Sequence, residues 1–183
     1  MNSKLEPLQT ETAQEDIDYL KKVLRGKYGW ELWAKVYRRE LFDEPMYIPC
    51  HLRIGEDATV YMQLVARSCK VKIINEALYN YIQYPSSASH QRSVTLAEET
   101  LQAAFYIDHL LKKESFYQEI RDEIDAMYLL FYSNSTRKAF LRLNHPLIYQ
   151  VYQEHYSLRA LKILPLFKSI YISLSLLLRK TLS

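Results

Sequence analysis

Two adjacent carboxylates, Glu56 and Asp57, lie at the start of a predicted helix, where a carboxylate could accept a proton. They follow Gly55 and precede a segment with apolar residues at helical spacing, so we expect Asp57 to be the N-cap of a helix. The N-terminal end of a helix favours negative charge and keeps a carboxylate ionised, and an ionised carboxylate can accept a proton. The structural alternative is that Asp57 only caps its helix.

A second chemical cluster precedes this pair. Trp33, Lys35 and Tyr37 alternate along the chain, which predicts a short strand followed by a helical turn over 39–42. Residues 19–39 carry seven basic side chains and only one acid, Glu31. A positive field of this kind attracts the phosphates of nucleotides or of lipid head groups. Solvated helix faces would give the same pattern.

Other chemistries are disfavoured by spacing. Asp16 and Asp18 match a metal-binding Asp-x-Asp only by letter, because side chains two apart on a helix point in different directions. Cys50 and Cys69 form no CxxC pair and have no histidine at metal spacing, as expected of ordinary thiols in a reducing cytosol. The polar N-terminus lacks the apolar segment of a signal peptide.

Helices dominate the elements that must position these residues. The capping box from Thr12 to Glu15 begins a predicted helix over 12–25, and a second box from Thr95 to Glu98 begins another. Apolar spacing predicts further helices, over 116–131 and over 147–156. Proline and polar residues predict loops over 43–55 and 85–93. Short strands are expected over 71–74 and 77–84.

The C-terminal segment 162–180 has its own pattern. Its apolar residues share one broad face, whereas Lys162, Ser169, Ser173 and Lys180 lie opposite, flanked by Lys168 and Arg179. Lys168 in its middle argues against a spanning helix, which needs about 20 apolar residues. The pattern indicates a helix in a membrane interface, with its cations at the head groups. A packed helix of the domain is the alternative.

Three motifs in order resemble bacterial family 2 glycosyltransferases. Residues 33–42 (WAKVYRRELF) resemble the family's W-x-K-[LV]-Y-[KR]-R-x-[LF]-F segment, and Gly55, Glu56 and Asp57 resemble its "ED" motif. Residues 74–81 (INEALYNY) resemble its [IL]-[ND]-E-x-L-Y-x-Y strand. The resemblance covers roughly residues 15–92.

The family implies a GT-A fold, in which one half of a Rossmann-like sheet binds the nucleotide and the other receives the acceptor. We therefore expect an α/β, helix-rich chain: an incomplete GT-A second half with a small sheet, followed by a helical C-terminal region. The expected organisation is a disordered lead (1–11), an acceptor-side part (12–93), a helical extension (94–160) and an amphipathic, membrane-associated helix (161–183). The nucleotide-binding half is not among these segments.

The resemblance also implies roles for residues. Asp57 corresponds to the general base of inverting transfer, and Glu56 to a supporting neighbour. Substrate binding is expected from residues along the cleft: Trp33, Lys35, Tyr37, Gln83, Ser87 and Arg92. No metal ligand or cofactor is expected in this chain, although a complete enzyme would use a divalent metal, Mg or Mn.

The implied function is transfer of a sugar from a nucleotide-sugar donor to a glycan or lipid-linked acceptor in polysaccharide biosynthesis. We expect a cytoplasmic protein at the inner face of the membrane, inactive as this chain alone. A second hypothesis is a non-catalytic helical membrane-interaction or scaffold protein that retains a relic of the motif. Nucleic-acid binding is disfavoured, because residues 19–39 show no continuous basic face.

Overall fold

The computed structural model describes residues 14–82, 84, 87 and 90–181. Helices form most of this part of the chain, which confirms the helix-rich prediction. In chain order the helices are α1 (Asp16–Leu24), α2 (Glu56–Arg67), α3 (Val94–Leu111), α4 (Arg121–Ser135), α5 (Pro146–His155), α6 (Leu158–Ile163) and α7 (Leu166–Thr181). Two 3₁₀ turns, Arg39–Phe42 and Tyr117–Ile120, complete the helical elements.

Helix α4 is the centre of the core. Nearly all of its residues from Glu123 to Ser133 are buried, as expected for a helix that is surrounded by others. Helix α3 packs along it, and apolar residues of α1, α2, α5, α6 and α7 join the same cluster. One core therefore links the segments before and after residue 94.

Glycine and serine set the ends of the two helices nearest the Glu56–Asp57 pair. Gly55, with a φ of 95°, is the N-cap of α2, so the prediction that Asp57 occupies this position is wrong. Helix α3 begins earlier than its predicted box, because the Ser93 hydroxyl accepts a hydrogen bond from the Leu96 N–H at 3.1 Å. Of the Thr12 box, Thr12 itself lies outside the described residues.

The sheet is much smaller than expected. Gln14–Glu15 (β1) and Lys70–Val71 (β2) pair antiparallel over two residues each, and the described residues contain no Rossmann-like sheet. The predicted strand at 33–37 is wrong, since Ala34 has a φ of 58° and turns the chain there. Residues 77–82 and 84 are also not strand. Their apolar side chains are exposed, including those of Leu78, Ile82 and Tyr84.

A polar network is buried between α3 and α4. The Asp108 carboxylate accepts hydrogen bonds from the hydroxyls of Tyr117 (2.6 Å) and Tyr128 (3.0 Å), and pairs with Lys112 at 2.8 Å. Burial alone would raise the pKa of Asp108, but the hydrogen bonds from Lys112, Tyr117 and Tyr128 outweigh it and lower the pKa. The network ties the two central helices together.

The C-terminal region divides at Pro165 into α6 and α7. Helix α7 contacts the domain through Ile172, Leu176 and Arg179, which are buried. Arg179 was expected at the rim of the polar face, but its Nε donates to the Leu141 carbonyl at 2.8 Å and its guanidinium lies over the Phe140 ring. None of the helices in the described part of the chain is long and apolar enough to cross a membrane.

Candidate functional site

The Glu56–Asp57 pair occupies the first turn of α2. Gly55 positions this turn, since its carbonyl accepts hydrogen bonds from both the backbone N–H (3.0 Å) and the hydroxyl (2.9 Å) of Thr59. Both carboxylates are half-buried. They lie at the end of the helix where the dipole is positive. The Glu56 Oε2 atom is shielded from solvent without a hydrogen-bond partner among the described residues.

Lys35 and Tyr37 lie beside the N-terminal half of α2. The Lys35 ammonium stands 4.6 Å from the centre of the Tyr61 ring, one turn after Asp57. Burial raises the pKa of Tyr37 to about 12, and the neighbouring Tyr19, Asp57 and Glu31 side chains add to the effect. Asp57 is therefore close enough to Tyr37 to act on it electrostatically.

Internal contacts already engage both of these side chains. Lys35 donates to the Glu31 carbonyl at 2.6 Å and to its carboxylate at 3.2 Å. Tyr37 donates to the Leu32 carbonyl at 3.3 Å. These bonds stabilise the conformation of the segment 31–37. The half-buried Lys35 ammonium has three N–H donors, so one remains for a further hydrogen bond.

Trp33 belongs to a different contact. Its ring, 37% exposed, stacks on Tyr81 with centroids 4.5 Å apart and on Tyr79 at 5.4 Å. The first and third motifs of the sequence therefore meet through their aromatic side chains. The outcome is a partly exposed aromatic platform, formed by two segments that had each been predicted as a short strand.

The remaining predicted site residues are more scattered. Gln83 lies outside the described residues. Ser87 is half-buried in a turn, where its N–H donates to the Tyr84 carbonyl at 3.0 Å. Arg92 is exposed. Burial lowers the pKa of Lys138 and the charge of Arg92 lowers it further, which places Arg92 near the C-terminal end of α4.

The structure also bears on the residues that could ligate a metal. Asp18 lies within α1, as the sequence predicted. In the part of the chain that the structure describes, His, Cys, Asp and Glu side chains form no group of three that could hold an ion.

Two tyrosines beside the site were not identified from the sequence. The hydroxyls of Tyr19 and Tyr61 lie 2.7 Å apart and are buried. Burial, the hydrogen bond to Tyr19 and nearby negative charges raise the pKa of Tyr61 well above its usual range. The only signal for them was the abundance of tyrosine, sixteen residues, which does not say which rings meet.

Comparison with known proteins gives one relative. A stretch of 103 residues, 56% of this chain, is 27% identical to the uncharacterized glycosyltransferase EpsJ of Bacillus subtilis (strain 168). The similarity is to a glycosyltransferase. The matched part makes up 30% of that protein, so this chain covers less than a third of its length. No protein family model matches the chain, and no solved structure matches it.

Proposed function

We propose that this chain is the acceptor-side part of an inverting family 2 glycosyltransferase of the GT-A type, with Asp57 as the general base. The observation that carries the proposal is the half-buried carboxylate pair in the first turn of α2, with Lys35 and Tyr37 beside that helix. The similarity to a glycosyltransferase supports the reaction class.

In this mechanism a hydroxyl of the acceptor glycan donates its proton to an Asp57 carboxylate oxygen. The hydroxyl oxygen forms a bond to the anomeric carbon of the donor as the bond to the nucleotide diphosphate breaks. The first turn of α2 places Asp57 at the end of the helix where the dipole is positive. Glu56 supports this base. A divalent metal such as Mg or Mn would stabilise the leaving diphosphate in a complete enzyme, and we assign no step here to it.

The aromatic platform of Trp33, Tyr79 and Tyr81 supplies flat apolar surface on which a sugar ring can stack. We assign it to sugar binding, with Lys35 and Tyr37 hydrogen-bonding hydroxyls between the platform and Asp57. Gln83, Ser87 and Arg92 remain predicted substrate contacts.

The proposal is tested in a chimera in which this chain replaces the matched segment of the Bacillus relative. Incorporation of labelled sugar from nucleotide-sugar donors into membrane glycan is the readout. We expect Asp57→Asn to lower the rate by at least about 100-fold, because general-base catalysis contributes roughly that much. Asp43→Asn, an exposed carboxylate outside the site, is the matched control.

Equal rates in the Asp57→Asn and Asp43→Asn chimeras would contradict the assignment. A folded parent chimera without any transfer would count against the reaction class. The isolated 183-residue chain should transfer no sugar. Measurable transfer by it would contradict the proposal that this chain supplies only the acceptor-side part of the enzyme.

We also propose that α7 holds the protein at the cytoplasmic face of an anionic membrane. Its side toward the domain is rich in hydroxyls: Ser175 bonds Tyr132 at 2.8 Å, and Ser173 accepts from Tyr156 at 3.1 Å. Ile172 and Leu176 pack on the domain, whereas six other large apolar residues face outward and are about half to three-quarters exposed: Leu166, Phe167, Ile170, Leu174, Leu177 and Leu178. This arrangement suits a lipid interface and would be costly in water.

Charge favours an anionic surface as the occupant. The sequence from Ser157 to its end contains five basic residues and no acid. Arg179 is buried, which leaves Arg159, Lys162, Lys168 and Lys180 for lipid head groups. Basic residues beside an anionic membrane each contribute about 1 kcal/mol.

Vesicle co-sedimentation tests this part. We expect binding to phosphatidylglycerol vesicles that weakens with added salt and on removal of residues 160–183. Leu174→Gln and Leu177→Gln should each weaken it about tenfold, since burial of a leucine is worth about 1.5–3 kcal/mol. Leu158→Gln on α6, equally exposed, is the control, and absence of binding at low salt would contradict the proposal.

A non-catalytic scaffold at the membrane remains the second candidate, favoured specifically by the exposed face of α7. The two candidates differ in one result. A scaffold would keep vesicle binding and show no loss of transfer when Asp57 is replaced in the chimera.

A further inference from the structure

A groove lies on the outer surface of α3 and is separate from the Glu56–Asp57 pair. Its volume is about 790 Å³, within the range of small-molecule sites. One wall is a face of α3 that carries Phe105, Tyr106, His109 and, just past the helix, Lys113. The opposite wall comes from the loop before α2, through Tyr47 and His51. We call it the Tyr47–Tyr106 groove.

The aromatic rings of the groove are held in place. Tyr47 and Tyr106 lie with their ring centres 5.7 Å apart and inclined by 38°. The Tyr106 hydroxyl and His51 Nε2 are hydrogen-bonded at 3.0 Å, which fixes the His51 ring against the edge of Tyr106. Two inclined rings and an oriented imidazole form an amphipathic surface with both flat apolar faces and polar edges.

The loop wall is clamped to helix α2. The Gln63 side chain accepts from the Tyr47 N–H at 2.9 Å and donates to the Tyr47 carbonyl at 2.8 Å. Gln63 lies six residues after Asp57, which corresponds to about 9 Å along the helix axis. The loop wall of the groove and the carboxylate pair are therefore both held by helix α2.

The polar groups of the groove favour an anion. His51, His109 and Lys113 are exposed around it, and within the described part of the chain none of the side chains lining it is acidic. The acid next to His109, Asp108, is turned inward and held by Tyr117, Tyr128 and Lys112. The Lys113 ammonium and the two imidazole rings thus stand without a carboxylate in the lining.

We propose that the Tyr47–Tyr106 groove binds an acidic glycan. A sugar ring stacks on Tyr47 and Tyr106, and the negative group of the glycan is held by His109 and Lys113. This inference rests on the proposed glycosyltransferase function, in which the groove holds the part of the acceptor chain that lies beyond the reacting sugar. Both a carboxylate and a phosphate substituent would satisfy the chemistry.

Calorimetric titration of the 183-residue chain tests the proposal with three probes. A hyaluronan hexasaccharide carries carboxylates, chitohexaose is neutral, and inorganic pyrophosphate is an anion without a sugar. We expect the hexasaccharide to bind at least about tenfold more tightly than the other two. If chitohexaose binds as tightly as the hexasaccharide, charge plays no role and the proposal is overturned. If pyrophosphate binds as tightly as the hexasaccharide, the groove is a simple anion site and the proposed stacking on the rings is overturned.

Substitutions locate the binding. Tyr47→Ala and Lys113→Gln should each raise the dissociation constant at least about fivefold, whereas the exposed controls Tyr149→Ala and Lys72→Gln should not. Circular dichroism establishes that each variant is folded, and Lys113→Gln keeps the test valid if Tyr47→Ala unfolds. Absence of hexasaccharide binding overturns the groove proposal. It leaves the proposed function intact if Asp57→Asn still abolishes transfer in the chimera.

Discussion

Gly55 joins the loop before α2 to the carboxylate pair and also touches helix α3. Its φ of 95° lies in the left-handed region that side chains disfavour. A Cβ atom at this position would lie far closer to the Cβ of Ala103 than the roughly 3.5–4.0 Å at which carbon atoms pack. Ala103 belongs to the buried face of α3, so neither partner can move aside easily.

The expected cost of Gly55→Ala combines two contributions. The left-handed conformation costs about 1–2 kcal/mol for a residue with a Cβ, and overpacking in a rigid core costs about 1–3 kcal/mol. We therefore expect the free energy of unfolding to fall by about 2–5 kcal/mol. Urea denaturation followed by circular dichroism at pH 7 measures this difference.

A double-mutant cycle separates the two contributions. Ala103→Gly alone should cost about 1–2 kcal/mol, through lost burial and the low helix propensity of glycine. It should also remove the collision in the Gly55→Ala background. The double variant should then be at least about 1 kcal/mol more stable than the sum of the single effects predicts. Additive effects, or a Gly55→Ala cost below about 0.5 kcal/mol, would refute this account of how α2 meets α3.

Three further predictions concern groups that the structure buries. Asp108 has a lowered pKa in the folded protein, so its contribution to stability is present above the unfolded value of about 3.9 and is lost as the pH falls through the folded value. Asp108→Asn should therefore lose less stability than the parent between pH 5 and pH 3, as measured by urea denaturation. Arg179→Met should destabilise the fold by about 1–3 kcal/mol, because the Leu141 carbonyl loses its donor; thermal and urea denaturation measure this. Asp57→Asn should lower the pKa of Tyr37 from its value of about 12, since the Asp57 charge helps to raise it; NMR titration of labelled tyrosine, assigned with Tyr37→Phe, follows the change.

Each of these predictions has a contradicting result. A pH profile for Asp108→Asn parallel to that of the parent would mean that the carboxylate titrates alike in both states. Stability unchanged in Arg179→Met, compared with the exposed control Lys180→Met, would show that α7 is held without the buried guanidinium. An unchanged pKa of Tyr37 in Asp57→Asn would place Asp57 too far from the segment 33–37 for the proposed site.

The helices were largely readable from the sequence because their signals are local. Apolar spacing predicted helices close to α1, α3, α4 and α5 as observed, since each turn satisfies its own backbone hydrogen bonds within a few residues. The predicted C-terminal helix is divided at Pro165 into α6 and α7. Caps were less certain, because Ser93 and Gly55 replaced the predicted Thr95 and Asp57 at neighbouring positions.

The strands were harder to predict, because a strand exists only when a partner satisfies its backbone. The strand predicted over 71–74 overlaps β2 at Val71. The alternation over 33–37 and 77–84 was compatible with strand, yet Ala34 turns the first segment and the described residues of the second remain unpaired. Side-chain alternation carries no information about the partner.

The sequence by itself determined the helical content, the carboxylate pair after Gly55 and the amphipathic pattern of the C-terminal segment. Only the tertiary structure decided which sides of these elements meet. It placed Ser173 and Ser175 of α7 toward the domain and most of its leucines outside, buried Arg179, stacked Trp33 on Tyr81 and brought Tyr47 to Tyr106. The physical reason is that contacts between residues far apart in the chain depend on how whole helices pack, which no local pattern encodes.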